Sequence, residues 1–67
     1  MDKEEKINEI TKFIISHPES IASLTILKRH YTNNYFFESS QELTLNIKKK
    51  LKNENEDEIN FCYYLIK

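Results

Sequence analysis

There is no glycine in this chain of 67 residues, and only one proline and one cysteine. Each scarcity closes off a class of protein. Glycine enters positive φ without steric cost, so its absence argues against tight hairpin turns, phosphate-cradling loops and dinucleotide folds, while helices lose least. Cys62 has no mate within the chain, there is no Cys-x-x-Cys pair, and two histidines complete the inventory of soft ligands. A disulfide framework and a zinc knuckle therefore both fail on residue count, and no metal or cofactor is expected. Neither charge sign is in excess: 10 Lys+Arg stand against 11 Asp+Glu, for a net charge of −1. No global field draws the protein to nucleic acid or to an anionic membrane, so any such binding must come from a local patch. No apolar run approaches bilayer length, and Met1-Asp2-Lys3-Glu4-Glu5-Lys6 is too acidic for a signal or transit peptide. The expectation is a soluble cytoplasmic chain that does not bind membranes.

Length sets a further bound. A chain of this size forms one domain, spanning residues 1–67, and hides only about 60% of the surface its unfolded form exposes. One small core rarely supplies more than roughly 3–5 kcal/mol. With no staple available, stability must come from good helix packing, self-association or a larger partner.

What is present is mostly helical patterning. Asp2 is placed to cap a first helix, with Glu5 in its acid-favouring first turn, and Asp2/Lys6 and Glu9/Lys12 fall at ion-pair spacing. Ile7, Ile10, Phe13 and Ile14 line one face, and Ile15 widens it. The segment from Ser16 to Leu24 ends that helix and starts another within three residues. Proline in a first helical turn gives up an amide that has no partner there, and Ser16 and Glu19 have capping-box spacing. A second helix is expected from Pro18 to about Tyr31, with Ile21, Leu24, Leu27 and Tyr31 on one face. Lys28, Arg29 and His30 would offset the carbonyl dipoles of its last turn.

Thr32-Asn33-Asn34 breaks the pattern, and the aromatic cluster Tyr35-Phe36-Phe37 precedes a second capping box, Ser39 to Glu42. A third helix would carry Leu43, Ile47 and Leu51 inward and end in Lys48-Lys49-Lys50 with Lys52 just beyond. Residues 43–47 also alternate with period two, as a half-buried strand does. After the acidic stretch Asn53 to Glu58, the run Ile59 to Ile66 is apolar nearly all round and suits helix and strand about equally.

The words at Lys12-Phe13-Ile14-Ile15-Ser16-His17-Pro18-Glu19-Ser20-Ile21-Ala22-Ser23-Leu24 resemble the helical segment that precedes the thioredoxin domain of lipoprotein-type thiol-disulfide reductases. Leu43 to Asn53 continues the likeness, so that it covers residues 9–53. Tetratricopeptide-like hairpins look similar around a proline-initiated helix. The chain departs from the reductase family in having no Cys-x-x-Cys, no thioredoxin domain and no lipoprotein signal. The redox chemistry of that family thus has no residues here to carry it, and the resemblance implies only a helical packing or interaction segment.

Candidate chemistry is sparse. Cys62 lies among Phe61, Tyr63 and Tyr64, without a cation to activate it, and reads as a small buried residue. His17 and His30 fall at helix ends, where capping contacts account for them, and nothing pairs either with a nucleophile. The chain is expected not to be an enzyme. Its aromatic surplus suits a contact surface, with Tyr35, Phe36, Phe61, Tyr63, Tyr64 and Leu65 as anchors for a protein partner or a second copy. The alternative is a helix-turn-helix-like nucleic-acid binder using Lys48, Lys49, Lys50 and Lys52. The expected fold is all-α, three or four short helices in stacked antiparallel hairpins, with Ile10, Ile14, Leu24, Leu27, Leu43, Ile47 and Leu51 central. The structural alternative is an α+β fold with a C-terminal β-hairpin from 43–47 and 59–66.

Overall fold

A computed structural model describes residues 2–31 and 39–67. It contains four helices, α1 (Lys3–Ser16), α2 (Ile21–His30), α3 (Ser40–Lys52) and α4 (Glu56–Ile66), and no strand among the described residues. Both segments of the α+β alternative, 43–47 and 59–66, are helical. The reason is visible at their starts. Ser39 accepts a bond from Glu42 N at 3.2 Å and Asn55 one from Glu58 N at 2.8 Å, so each run is entered through a capped first turn that commits it to a 3.6-residue period. Asp2 caps α1 in the same way, accepting from Glu5 N at 2.8 Å.

The start of α2 differs from expectation. Pro18 is not in the helix, and the capping box between Ser16 and Glu19 is not what starts it. Instead the amide of Ser20 donates to the carbonyl of His17 at 3.1 Å, which places Pro18 at the second position of a turn, where its fixed φ is favoured. Ser20 then caps α2 by accepting from Ser23 N at 3.0 Å. Proline disfavours helical backbone in the residue before it, and His17, at φ −134° and ψ 60°, has left the helical region.

The core comprises Ile7, Ile10 and Ile14 from α1, Ile26 from α2, Ile47 and Leu51 from α3, and Ile59 and Cys62 from α4. Ile10, Ile14, Ile47 and Leu51 are where the periodicity put them. Leu27 and Leu43 are partly buried against this cluster. Leu24 is not in it: it is 54% exposed, and Ile21 is 84% exposed. The inward face of α2 is instead Ser23, Ile26, Leu27 and His30, the i, i+3, i+4, i+7 set one helical step away from the expected stripe. Leu27 and Tyr31 of the expected stripe do pack against the core, but two polar residues, Ser23 and His30, complete the inward face in place of Ile21 and Leu24, so hydrophobicity alone places that face only in part.

Packing runs chiefly between the pair α1/α2 and the pair α3/α4 rather than within either. α1 packs most extensively against α4 and next against α3, and α2 packs against α4. Lys6 reaches Glu56 and Asn60 near the start of α4, while Phe13 and His17 share a groove with Tyr63 and Ile66 near its end, so α1 and α4 lie side by side and parallel. The lysine therefore bonds across to α4, and the Asp2 carboxylate is given to its cap.

Candidate interaction surface

α4 is flanked by α1 on one side and α2 on the other. On the α2 side, Arg29 pairs with Glu58 and its guanidinium lies 5.8 Å from the centre of the Phe61 ring. On the α1 side, Lys6 bonds to Asn60 and lies 3.5 Å from Glu56. With both flanks engaged, the residues left facing outward follow from helical spacing: Asp57, Phe61 and Tyr64, at i, i+4 and i+7. Phe61 is 45% exposed and Tyr64 75% exposed. Tyr63 and Leu65, expected with them as contact residues, are half-buried and pack against the core. The remaining two aromatic candidates, Tyr35 and Phe36, lie outside the described residues.

Between the C-terminal halves of α1 and α4 runs an open groove of about 300 Å³. Its walls are aromatic: Phe13 stacks on His17 with ring centroids 4.7 Å apart, and Tyr63 carries the Lys67 ammonium 5.5 Å from its ring centre. Lys12 and Lys67 line it together with one acid, Glu9. Phe13, which the periodicity assigns to the core, is half-buried here and serves as a wall of the groove. The spacing of Phe13 and His17, four residues apart on one helix face, is the sequence signal for that stack.

A second cluster lies inside. His30 is buried, with Nδ1 3.3 Å from Glu54 Oε1 and Nε2 3.9 Å from the sulfur of Cys62. The order carboxylate, imidazole, thiol is that of a nucleophile with its base and orienting group. Its environment opposes that use. Burial pushes the Cys62 thiol up from its ordinary pKa and lowers that of His30, against the pull of Glu54 in the opposite direction. Cys62 is fully buried, which keeps its thiol protonated and out of reach of substrate. The cluster joins the last turn of α2 to α4 and to the turn before it. No sequence spacing reveals it, because Cys62 lies 32 residues beyond His30 in the chain. The one signal is that His30 stands seven residues after Ser23 and four after Ile26.

The lysines of α3 do not form one face. Lys49, Lys50 and Lys52 are exposed and Lys48 is half-buried, and consecutive residues on a helix point about 100° apart. Lys52 stands 3.6 Å from Glu4 of α1. Among the described residues, no group of three or more His, Cys, Asp and Glu is placed to hold a metal ion, and no helix is long and apolar enough to cross a membrane. Comparison with protein-family models, with curated proteins and with solved structures finds no match to this chain.

Proposed function

We propose that this chain is a small, non-enzymatic, cytoplasmic protein–protein interaction module, an adaptor, inhibitor or regulator, whose contact surface is centred on the outer face of α4. The carrying observation is the pair Phe61 and Tyr64, one turn apart and turned to solvent from a helix whose two flanks are already covered. Single exposed apolar residues are ordinary on any surface. Two neighbouring aromatics on a rigid element are what binding anchors are made of, since Tyr and Phe give large contact area for little loss of rotamer freedom. The Arg29 guanidinium beside Phe61 adds a group that is also enriched at such sites.

The reading is tested by affinity capture from the native cell with full-length protein and a Tyr64→Ala variant, quantified by mass spectrometry. A stoichiometric partner lost from the variant supports it. Equal recovery with both proteins, with the helical circular dichroism unchanged, counts against it.

Nucleic-acid binding through Lys48, Lys49, Lys50 and Lys52 ranks second. Exposed Lys49 and Lys50 favour it, while the Lys52–Glu4 pair and the net charge of −1 oppose it. Phosphate contacts would give an affinity falling steeply with salt. No retention of duplex DNA or RNA on a filter at low ionic strength is the expected result.

A further inference from the structure

We propose that His30 and Cys62 together bind one monovalent copper ion, Cu(I), between the imidazole and the thiolate at the junction of α2 and α4. The two ligand atoms already face each other. Nε2 of His30 stands 3.9 Å from the Cys62 sulfur, the long end of a thiol–imidazole hydrogen bond, and both residues are buried, at 7% and 0% exposure. The tautomer suits an ion as well. Glu54 Oε1, 3.3 Å from Nδ1, can only accept, so in the neutral ring the proton sits on Nδ1 and the Nε2 lone pair is turned to the sulfur. A carboxylate on the far nitrogen of a ligating histidine is the usual outer support of a metal site, where it orients the ring and raises its basicity.

Distance and ligand number choose the metal. With bonds of about 2.0 Å to nitrogen and about 2.3 Å to sulfur, a gap of 3.9 Å corresponds to an angle of about 130° at the ion, whereas the tetrahedral angle of zinc closes the gap to about 3.5 Å. Among the described residues no group of three or more His, Cys, Asp and Glu is placed on a metal, so the four-ligand shell of structural zinc is not there. A thiolate and an imidazole at a wide angle are a coordination that Cu(I) accepts. Charge agrees with this choice. Cu(I) replaces the thiol proton, which passes to solvent, and the copper–thiolate unit is neutral as the thiol was, so the core takes up no new charge. The oxidation state of the copper does not change. A divalent ion adds a positive charge opposed only by the part-exposed Glu54, because Glu58 is paired with Arg29.

The experiment is anaerobic titration of the reduced full chain with Cu(I) in buffer containing acetonitrile, read by native mass spectrometry and by proton release in weak buffer. The expected result is one copper per chain with one proton released at pH 7, because burial holds the Cys62 thiol protonated in the metal-free protein. Cys62→Ser and His30→Gln should each weaken binding by about 100-fold or more, and Glu54→Gln by about 10-fold to 100-fold through the ring it orients. His17→Gln, which changes the exposed histidine, should leave binding as it was. No bound copper at one equivalent, copper held equally by Cys62→Ser, or copper lost from His17→Gln overturns the proposal. Equal affinity for Zn²⁺ in the same titration overturns the choice of ion. A core substitution that unfolds the chain removes binding for the wrong reason, so X-ray absorption of the unaltered, copper-loaded chain is the second measurement. One sulfur and one nitrogen around the copper support the site. Two sulfurs, the mark of copper bridging Cys62 of two chains, or a shell of nitrogen and oxygen alone, overturn it.

Discussion

His30 shows how one side chain couples this fold to pH. It is buried, its imidazole is faced by Glu54, Glu58, Arg29, Lys50 and the Cys62 thiol, and desolvation lowers its pKa below the ordinary 6.5. A base whose pKa is depressed by folding holds fewer protons in the native than in the unfolded chain, so stability rises with pH across that window. The stabilisation is complete above about 6.5 and is lost as pH falls through the folded-state value. Urea midpoints measured at pH 7.5 and pH 5.0 should fall on acidification, and the fall should be smaller in His30→Gln. Cys62 supplies a second readout at the same place. With its thiol buried and protonated, alkylation should proceed only through opening of the bundle, so urea that lowers stability should accelerate iodoacetamide labelling in proportion. Labelling at the rate of a free thiol in native buffer would contradict the burial.

At the scale of elements, the caps and the faces are what local sequence encodes, and they differ in how fully it does so. Ser20→Ala removes the bond to Ser23 N and should cost about 1 kcal/mol, as should Asn55→Ala at the start of α4. Glu19→Ala, although Glu19 has capping-box spacing from Ser16, should change stability by no more than about 0.5 kcal/mol. Thermal melts followed by circular dichroism distinguish the two classes. Much of this was legible beforehand: Asp2 and Ser39 announce their helices by residue type and spacing, and Ile10, Ile14, Ile47 and Leu51 by period, whereas the run Ile59 to Ile66 suited helix and strand alike and is committed to helix by the Asn55 cap. α2 was legible only in part: Leu27 and Tyr31 pack inward as expected, but Ser23 and His30 share that face with Ile26, and those two become core residues only through partners distant in the chain. Ile21 and Leu24 then lie outside because the contacts of His30 fix the rotation of the helix about its own axis. In the same way the outward turn of Phe61 and Tyr64 depends on Lys6 and Arg29 covering the flanks of α4. Residue types nominated those aromatics, and only tertiary placement separated them from Tyr63 and Leu65.

For the molecule as a whole, the balance of stability is narrow. Ile14→Ala deletes a fully buried side chain at the centre of the core and should cost about 2–5 kcal/mol. That is comparable to the roughly 3–5 kcal/mol a core of this size supplies, so the variant should be largely unfolded at 25 °C. Leu24→Ser, by contrast, should stay within about 0.5 kcal/mol of the parent, which the expected inward placement of Leu24 would not allow. Urea titration of both variants measures the difference directly.

The side-by-side packing of α1 on α4 also governs how the molecule comes into being. Lys6 finds Asn60 across 54 positions of chain, and α1 packs against α4 somewhat more than against α3. Contacts so remote in sequence arrive only after a large loop has closed, which slows a helical protein relative to one assembled from neighbouring pairs. Made on the ribosome from its amino terminus, such a polypeptide meets α3 before α4, so its early isoleucines are only partly covered until the fourth helix has been delivered. Its maturation therefore completes late, and any fragment that stops before α4 leaves part of the apolar stripe of α1 bare.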